Sequence, residues 1–453
     1  MQVTQTIAEG LKREFQVLVP AADLESRLAD RLAQLKDNIR LNGFRPGKVP
    51  IAHLRRLYGR SVMAEAIEEL VRETNAKIVS EHGFKLALDP QVKMPESKDE
   101  LEGVVAGKSD LSYTVSLEVV PSIELADFKA IKLERLTTDV SKDEVAAAIQ
   151  RIAEQNRPYQ DKGKEANAES GDRVIVSFSG TVDGEAFEGG SGENIPVVIG
   201  SGSFIPSFEE QLIGSVAGEK RTVTVTFPEN YLAEKLAGKP AQFAVEVSLV
   251  ETPGPTPAGD ELAKAVGLEA IDRLEAAVHE RMQQELAAQS RFKLKRALLD
   301  QLDALHRFAP PPTLVEEEFK NIWGAVLSDL KAQNRTFADE GTTEDKAQEE
   351  YRTIADRRIR LGLVLAEIGE KNNIKVTDDE IARSIYERAR QFPGREQEIW
   401  DYYRKTPAAV AAVRAPIFEE KVVDFILELA TVTGKPVTRE ELFKEDDATS
   451  GVS

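Results

Sequence analysis

The sequence lacks cysteine, has only two tryptophans and four histidines, and contains no apolar run long enough to span a membrane. The absence of cysteine excludes disulfides, thiolate catalysis and thiolate metal sites. The first twenty residues also hold no unbroken apolar segment of signal-peptide length. We therefore expect a soluble protein of the cytoplasm with no membrane partner.

Charge and motif content exclude further classes. The 453 residues include 59 Lys or Arg and 78 Asp or Glu, a net charge of −19, which argues against general affinity for nucleic acid. Neither a P-loop nor a dinucleotide-binding glycine motif is present, so we expect no nucleotide and no other cofactor. Hydrophobic residues make up 41%, enough to bury sizeable cores in several domains.

Hydrophobic periodicity predicts a multidomain α+β protein. Residues 15–19 and 111–119 alternate as strands do, and two helical periods flank a Gly/Pro-rich loop at residues 43–50. This pattern predicts an N-terminal α+β domain with a helix–loop–helix tip. Alternating strands and Gly-rich turns then predict an antiparallel β domain with one helix, and a long helical period predicts an all-α C-terminal domain. The expected segments are residues 1–120, 121–165 (a linker with a helix), 166–251, 252–443 and 444–453 (a disordered tail).

Three capping boxes mark helix starts within these segments. Ser141 with Glu144, Thr377 with Glu380, and Thr438 with Glu441 each place a hydroxyl three residues before a glutamate. This pairing satisfies two backbone N–H groups at a helix N-terminus. We therefore expect helices to begin directly after Ser141, Thr377 and Thr438.

The stretch between Asn38 and Ala64 is basic although the chain is acidic. It contains no Asp or Glu and carries an aromatic residue, Phe44, in the Gly/Pro loop. Arginine and an aromatic ring together suit a mixed RNA–protein surface. An ordinary solvated face, with Phe44 packed inward, is the alternative interpretation. The basic residues are Arg40, Arg45, Lys48, Arg55, Arg56 and Arg60.

The loop sequence Gly-Phe-Arg-Pro-Gly-Lys-Val-Pro resembles the ribosome-docking signature of the bacterial trigger factor family. The resemblance implies that Phe44 and Arg45 contact a large-subunit protein and ribosomal RNA beside the exit tunnel, and that Gly43, Gly47 and Lys48 shape or support the loop. Pro46 departs from the pattern, because familiar members have lysine there; the change removes a cation and fixes φ. The implied partners are the ribosome and nascent or unfolded polypeptides, bound without ATP.

Residues 171–250 resemble an FKBP-type prolyl isomerase, a small curved sheet wrapped on one helix. The resemblance rests on dispersed motifs in order, such as Phe178-Ser-Gly180 and Asp183-Gly184. Phe178, Phe208 and Glu188 stand where that family usually has Tyr, Trp and Asp. The implied catalytic and pocket residues are Phe178, Phe187, Glu188, Ile195, Phe204, Ile205, Phe208, Tyr231 and Val245.

These residue types suit isomerisation of Xaa–Pro peptide bonds (EC 5.2.1.8). The barrier of roughly 18–20 kcal/mol arises from lost amide resonance, and the twisted amide is less polar than the planar one. A water-poor aromatic pocket can therefore favour the transition state without a nucleophile, a metal or an acid–base pair. Glu188 and the Tyr231 hydroxyl would orient the substrate backbone. The alternative is that the aromatics only form a core, as we expect of Phe243.

Three functional hypotheses remain open at this level. The leading one is a ribosome-docked chaperone that also isomerises prolyl bonds. The others are a free isomerase whose helical part dimerises or targets it, and a holdase whose β domain does not catalyse. Homodimer formation by the free protein also stays open. Large apolar residues of the helical region, such as Phe292, Phe392 and Tyr402, either pack its core or line a cavity for unfolded segments.

Overall fold

The computed structural model describes residues 1–39, 41, 44, 48–228, 236–333 and 335–444, without the side chains of Asn38 and Glu188. The chain forms two compact units. One combines Met1–Arg135 with Lys293–Thr433, and the other combines Leu136–Phe292 with Gly434–Lys444. Among the described residues, no helix combines the length and apolar character needed to cross a membrane.

The N-terminal domain is an antiparallel sheet packed against helices. Its strands pair in the order β1 (Gln2–Glu9), β2 (Lys12–Val19), β4 (Leu111–Glu118) and β3 (Gln91–Lys93). Phe15, Val17 and Val19 alternate inward and are buried against Met63 and Leu70 of the long second helix. The elements are β1 (Gln2–Glu9), β2 (Lys12–Val19), α1 (Ala21–Asn38), α2 (Ile51–His82), β3 (Gln91–Lys93), α3 (Lys98–Val105) and β4 (Leu111–Glu118).

The periodicity did not single out β1. All eight of its residues are exposed, so no buried face imposes an alternating pattern on the sequence. The strand is defined instead by its backbone pairing with β2, with a bulge between Gln5 and Ile7. The predicted strands at residues 15–19 and 111–119 are confirmed in β2 and β4.

The second unit is built around an antiparallel sheet in the order β6-β10-β7-β8, with β9 also paired to β10. On β10, Phe243, Val245 and Val247 face the core. On β7 they lie opposite Gly180, Phe178 and Val176 in that order. A short 3-10 helix, Glu210–Leu212, precedes β9. The elements in this stretch are β5 (Lys132–Thr137), α4 (Lys142–Gln155), β6 (Tyr159–Asp161), β7 (Arg173–Val182), β8 (Glu185–Val198), β9 (Lys220–Thr226) and β10 (Pro240–Pro253).

The described residues from 260 to 444 form helices, their connecting segments and one strand. All three capping boxes are confirmed, because each predicted hydroxyl accepts the N–H group of its glutamate and each glutamate reaches back. The strand β11 lies where we expected only helix; its β-branched Thr-Val-Thr start pairs with β5. The elements are α5 (Asp260–Ala265), α6 (Ile271–Leu305), α7 (Pro312–Ala332), α8 (Glu344–Lys371), α9 (Asp378–Ala389), α10 (Glu396–Lys405), α11 (Pro407–Leu429), β11 (Thr431–Pro436) and α12 (Arg439–Phe443).

The helical core of the first unit draws on segments far apart in sequence. Leu298 of α6, Val364 of α8 and Val422 of α11 are fully buried together with Ile131, which precedes β5. Within the same unit, Lys85 of the N-terminal domain forms ion pairs with Glu367 and Glu370 of α8. These contacts follow from the path of the whole chain, and no local pattern in the sequence indicates them.

Candidate functional site

The β domain contains an apolar cavity of about 430 Å³. Five predicted pocket residues lie together around it: Phe178 on β7, Phe187 on β8, and Phe204, Ile205 and Phe208 on the segment that follows β8. Among the described lining residues, Ser203 carries the one polar side chain and none is titratable. The remaining described lining residues are Gly189, Pro206, Phe227, Pro228 and Phe243.

Phe243 lies at the centre of the aromatic cluster. Its ring stands edge-to-face against Phe208 at 5.4 Å, Phe178 at 5.8 Å and Phe187 at 6.1 Å between centroids. Phe204 stacks on Phe208 at 5.4 Å. Edge-to-face pairs place a positive ring edge on a negative ring face, which fixes the angle between neighbouring rings. The cavity walls are therefore set by mutual ring packing.

Three glycines make room for these rings. A Cβ atom at Gly180 would lie 2.5 Å from Phe243 Cε1, and one at Gly190 would lie 2.9 Å from Phe187 Cζ. One at Gly192 would lie 3.1 Å from Phe178 Cζ. Each ring thus occupies the space of a missing side chain on β7 or β8. The close approach is tightest at Gly180, whereas at Gly192 the nearest atom, Ile195 Cγ1 at 2.8 Å, belongs to an aliphatic side chain.

We expect Gly180→Ala to destabilise the β domain by about 1–3 kcal/mol, since overpacking displaces a buried ring. The added methyl group would also lie 3.0 Å from the Gly190 carbonyl oxygen, which cannot move away without disturbing β8. Amide hydrogen exchange of β7 and β10 measures the change in local opening free energy. Ser179→Ala, at the exposed neighbouring position, is the control. Equal exchange in the two variants would contradict the packing argument.

The other predicted pocket residues either do not line this cavity or lie outside the described residues. Val245 is buried opposite Phe178, and Ile195 lies on β8 opposite Val176; neither lines the aromatic cavity. Tyr231 lies outside the described residues, as does the side chain of Glu188.

Sequence reasoning missed Phe227 as a lining residue and assigned Phe243 only to the core. Phe243 is both buried and cavity-lining. The sequence held no signal for this second role, because it follows from the position of Phe243 opposite Gly180, which the strand register sets.

Asp172 is a buried acid of this domain that does not line the cavity. It lies just before β7, where it accepts hydrogen bonds from Lys162 Nζ at 2.8 Å and the Glu169 N–H group at 2.8 Å. Burial alone would raise the pKa of the Asp172 carboxyl, but these partners outweigh it and hold that pKa below its usual range. Since no described lining residue is charged, the cavity wall can offer a ligand dispersion, aromatic faces and exclusion of water.

Within the basic tip, the structure describes Phe44, Lys48 and the residues of α2. Phe44 is 38% exposed, and its ring lies 5.3 Å from that of His53, so it is not packed as a buried residue. The predicted docking residues Gly43, Arg45, Pro46 and Gly47 lie outside the described residues.

Of the four tip cations that the structure describes, two meet acids from distant parts of the chain. Arg55 pairs with Glu25 of α1, and Arg60 lies 3.5 Å from Glu102 of α3. The absence of acids from the local sequence therefore overstates the free positive charge of the tip.

Three family profiles match the chain in order. One described as bacterial trigger factor protein matches residues 1–152, one described as FKBP-type peptidyl-prolyl cis-trans isomerase matches residues 164–248, and one described as bacterial trigger factor protein C-terminus matches residues 270–428. The loop at residues 43–50 lies within the first of these matches, and residues 171–250, which resemble an FKBP-type isomerase, lie almost entirely within the second.

Curated relatives match over the full length. The trigger factor of Rhodopseudomonas palustris is 60% identical over 447 residues, and that of Bradyrhizobium diazoefficiens is 57% identical over 448, each covering 99% of both chains. A solved structure described as "Promiscuous Substrate Recognition in Folding and Assembly Activities of the Trigger Factor Chaperone" covers 94% of this chain and 99% of its own, with 19% identity and a TM-score of 0.56, and so shares the fold. The chain belongs to the trigger factor family of chaperones.

Proposed function

We propose that this chaperone docks on cytoplasmic ribosomes near the tunnel exit, binds nascent and unfolded polypeptides without ATP, and isomerises their Xaa–Pro bonds. The observation that carries the isomerase part is the apolar cavity, whose described walls hold no titratable side chain within an FKBP-type domain. In this proposal residues 1–120 dock, residues 166–251 isomerise and residues 252–443 bind clients.

The isomerisation mechanism follows from the character of the cavity. A proline ring of a client enters among Phe178, Phe208 and Phe243 and displaces water from the adjoining peptide bond. Rotation about that bond removes amide resonance and much of the amide dipole, so the twisted state loses less by leaving water than the planar state. The cavity thereby lowers a barrier of roughly 18–20 kcal/mol by differential solvation, with no bond to the protein.

Client binding is supported by apolar surface in the helical region. Tyr386, Phe392 and Tyr402 are 56%, 53% and 57% exposed on α9, on the segment after it and on α10. Such rings present large apolar faces to solvent that a partner chain can cover. They can cover apolar stretches of an unfolded chain while water still reaches their edges.

Ribosome docking is proposed to depend on Phe44, Arg45 and Lys48, with Gly43, Pro46 and Gly47 shaping the loop. Phe44 is partly exposed at the end of the basic tip, as a contact residue must be. Arginine can form paired hydrogen bonds with phosphate, and the aromatic ring can pack on a protein or base surface.

Co-sedimentation with bacterial ribosomes tests this docking. We expect the wild type to sediment with ribosomes at low salt and the double variant Phe44→Ala, Arg45→Ala to remain in the supernatant. The matched control replaces the same residue types at exposed positions outside the tip and outside the proposed client surface, Phe443→Ala with Arg281→Ala, and should sediment like the wild type; Phe443 is 38% exposed, as Phe44 is. A wild type that stays in the supernatant would refute ribosome docking and leave the free isomerase as the better account.

A further inference from the structure

One wall of the aromatic cavity depends on an irregular segment. Residues 200–204, here called the wall loop, follow β8 and lead directly into the Phe204–Ile205 wall. The wall loop has no strand partner among the described residues, so its backbone N–H groups need other acceptors. Four of them donate to one carboxylate, that of Glu209: Gly200 at 2.9 Å, Gly202 at 3.0 Å, Ser203 at 2.9 Å and Phe204 at 3.1 Å.

Glu209 is a buried acid held by dipoles. It is only 6% exposed, and the described groups that act on its carboxylate are hydrogen-bond donors of residues 200–204, with no Lys or Arg among them. The Ser201 hydroxyl donates a fifth hydrogen bond at 3.0 Å. Burial by itself would raise the pKa of the Glu209 carboxyl, but the N–H groups of Gly202 and Phe204 and the other donors outweigh burial and lower it.

The carboxylate is linked to the cavity through its neighbour in sequence. Phe208 is buried at the floor of the cavity, and Glu209 directly after it holds the loop that carries Phe204. The Phe204 ring in turn stacks on Phe208. The two ends of the segment 204–209 are therefore joined twice. The Phe204 and Phe208 rings are in contact, and the Phe204 N–H group donates a hydrogen bond to the Glu209 carboxylate.

We infer that Glu209 is a positioning residue for prolyl isomerisation, whose carboxylate holds the wall loop so that Phe204 and Ile205 keep their places beside the substrate proline. This inference rests on the proposed isomerase function. Glu209 does not line the cavity and contacts no reacting atom in this scheme. It acts through the loop alone.

Glu209→Gln tests the inference because it keeps the shape of the side chain. The amide retains one oxygen acceptor and turns the other position into a donor that faces two backbone N–H groups. We expect kcat/KM on a short Xaa–Pro peptide to fall about tenfold or more, since small misplacements of a binding wall are costly. Glu210→Gln, at the exposed next position, is the matched control and should retain wild-type turnover.

The pH profile tests whether the effect depends on the charge of the Glu209 carboxylate. The folded pKa of that carboxyl lies below the ordinary value of 4.5, so its contribution is complete above about pH 4.5 and is lost as pH falls through the lower folded value. The acid decline in kcat/KM should be steeper in the wild type than in Glu209→Gln, in which only other acids such as Asp172 still titrate. A variant that matches the wild type in turnover and in pH profile would overturn the inference.

Amide hydrogen exchange provides a readout that needs no turnover. We expect Glu209→Gln to accelerate exchange at Gly202, Ser203 and Phe204, while protection in β7 and β10 is retained. A wild type without isomerase activity would refute the isomerase part of the proposed function. The exchange pattern would still test whether Glu209 holds the wall loop. Unchanged exchange in the wall loop would overturn that role. Should Glu209→Gln not fold, Ser201→Ala removes a single donor, and a turnover loss of about twofold or more is then expected; no loss counts against the inference.

Discussion

Replacing Phe208 by Ala is expected to abolish measurable isomerase turnover on a short Xaa–Pro peptide, with kcat/KM lowered on the order of 100-fold or more. Phe208 is buried at the floor of the cavity and contacts Phe178, Phe204 and Phe243 through ring pairs. Its removal leaves a void that admits water beside the substrate peptide bond, and this solvates the planar ground state again. The apolar wall then no longer favours the twisted amide.

The same change also removes buried ring area, and we expect it to destabilise the β domain by about 3–5 kcal/mol. Phe208→Leu separates the two effects, because it keeps apolar volume while it removes the ring. Phe128→Leu, a matched change of a buried ring in the other unit, should leave peptide turnover unaltered. Suppression of aggregation of an unfolded client should survive in all three variants, since the exposed rings of the helical region are untouched. Wild-type turnover in Phe208→Ala would remove the cavity from the mechanism, and a wild type without turnover would leave the holdase hypothesis.

Leu298→Ala is expected to destabilise the helical part of the first unit by about 2–5 kcal/mol, the usual cost of a cavity in a well-packed core. Leu298 is fully buried where α6, α8, α11 and the segment before β5 meet. No single helix can close the void, because each of the four segments is held by the other three. The variant should therefore lose much of the stability on which the client-binding surface depends.

Tryptophan fluorescence during guanidinium unfolding measures this change selectively. Both tryptophans of the chain, Trp323 and Trp400, lie in helices α7 and α10, so the signal reports the helical region and not the β domain. Leu305→Ala is the matched control, since the same residue type on the same helix is 53% exposed there. We expect its unfolding free energy to stay within about 0.5 kcal/mol of the wild type. Equal losses for the two leucines would show that burial does not set the stability of α6.

Much of the fold could be predicted from local pattern. Alternating apolar residues located β2 and β4, and the three capping boxes located the starts of α4, α9 and α12. These signals are reliable because they record a physical requirement of the element itself, a buried face or unsatisfied N–H groups. The fully exposed β1 has neither requirement, and β11 depends on pairing with β5. Both strands therefore escaped prediction.

The candidate site shows the same division. The aromatic types and their motif spacing indicated Phe178, Phe187, Phe204, Ile205 and Phe208, and the structure brings these five together. The placement of Phe243 among them follows from strand register, because register decides which β10 side chain faces Gly180. The wall loop likewise depends on Glu209, whose five donors converge only after the chain turns back on itself.

Residue patterns along the chain were sufficient to predict the order of the segments, most of the helices and strands, the aromatic character of the pocket and the family to which the chain belongs. Which cations of the basic tip meet acids depends on tertiary packing, since Glu25 and Glu102 reach Arg55 and Arg60 from other helices. Tertiary packing also decided that residues 1–135 share a unit with residues 293–433. A sequence pattern records that a face is buried or a group needs a partner, whereas the identity of that partner depends on the path of the whole chain.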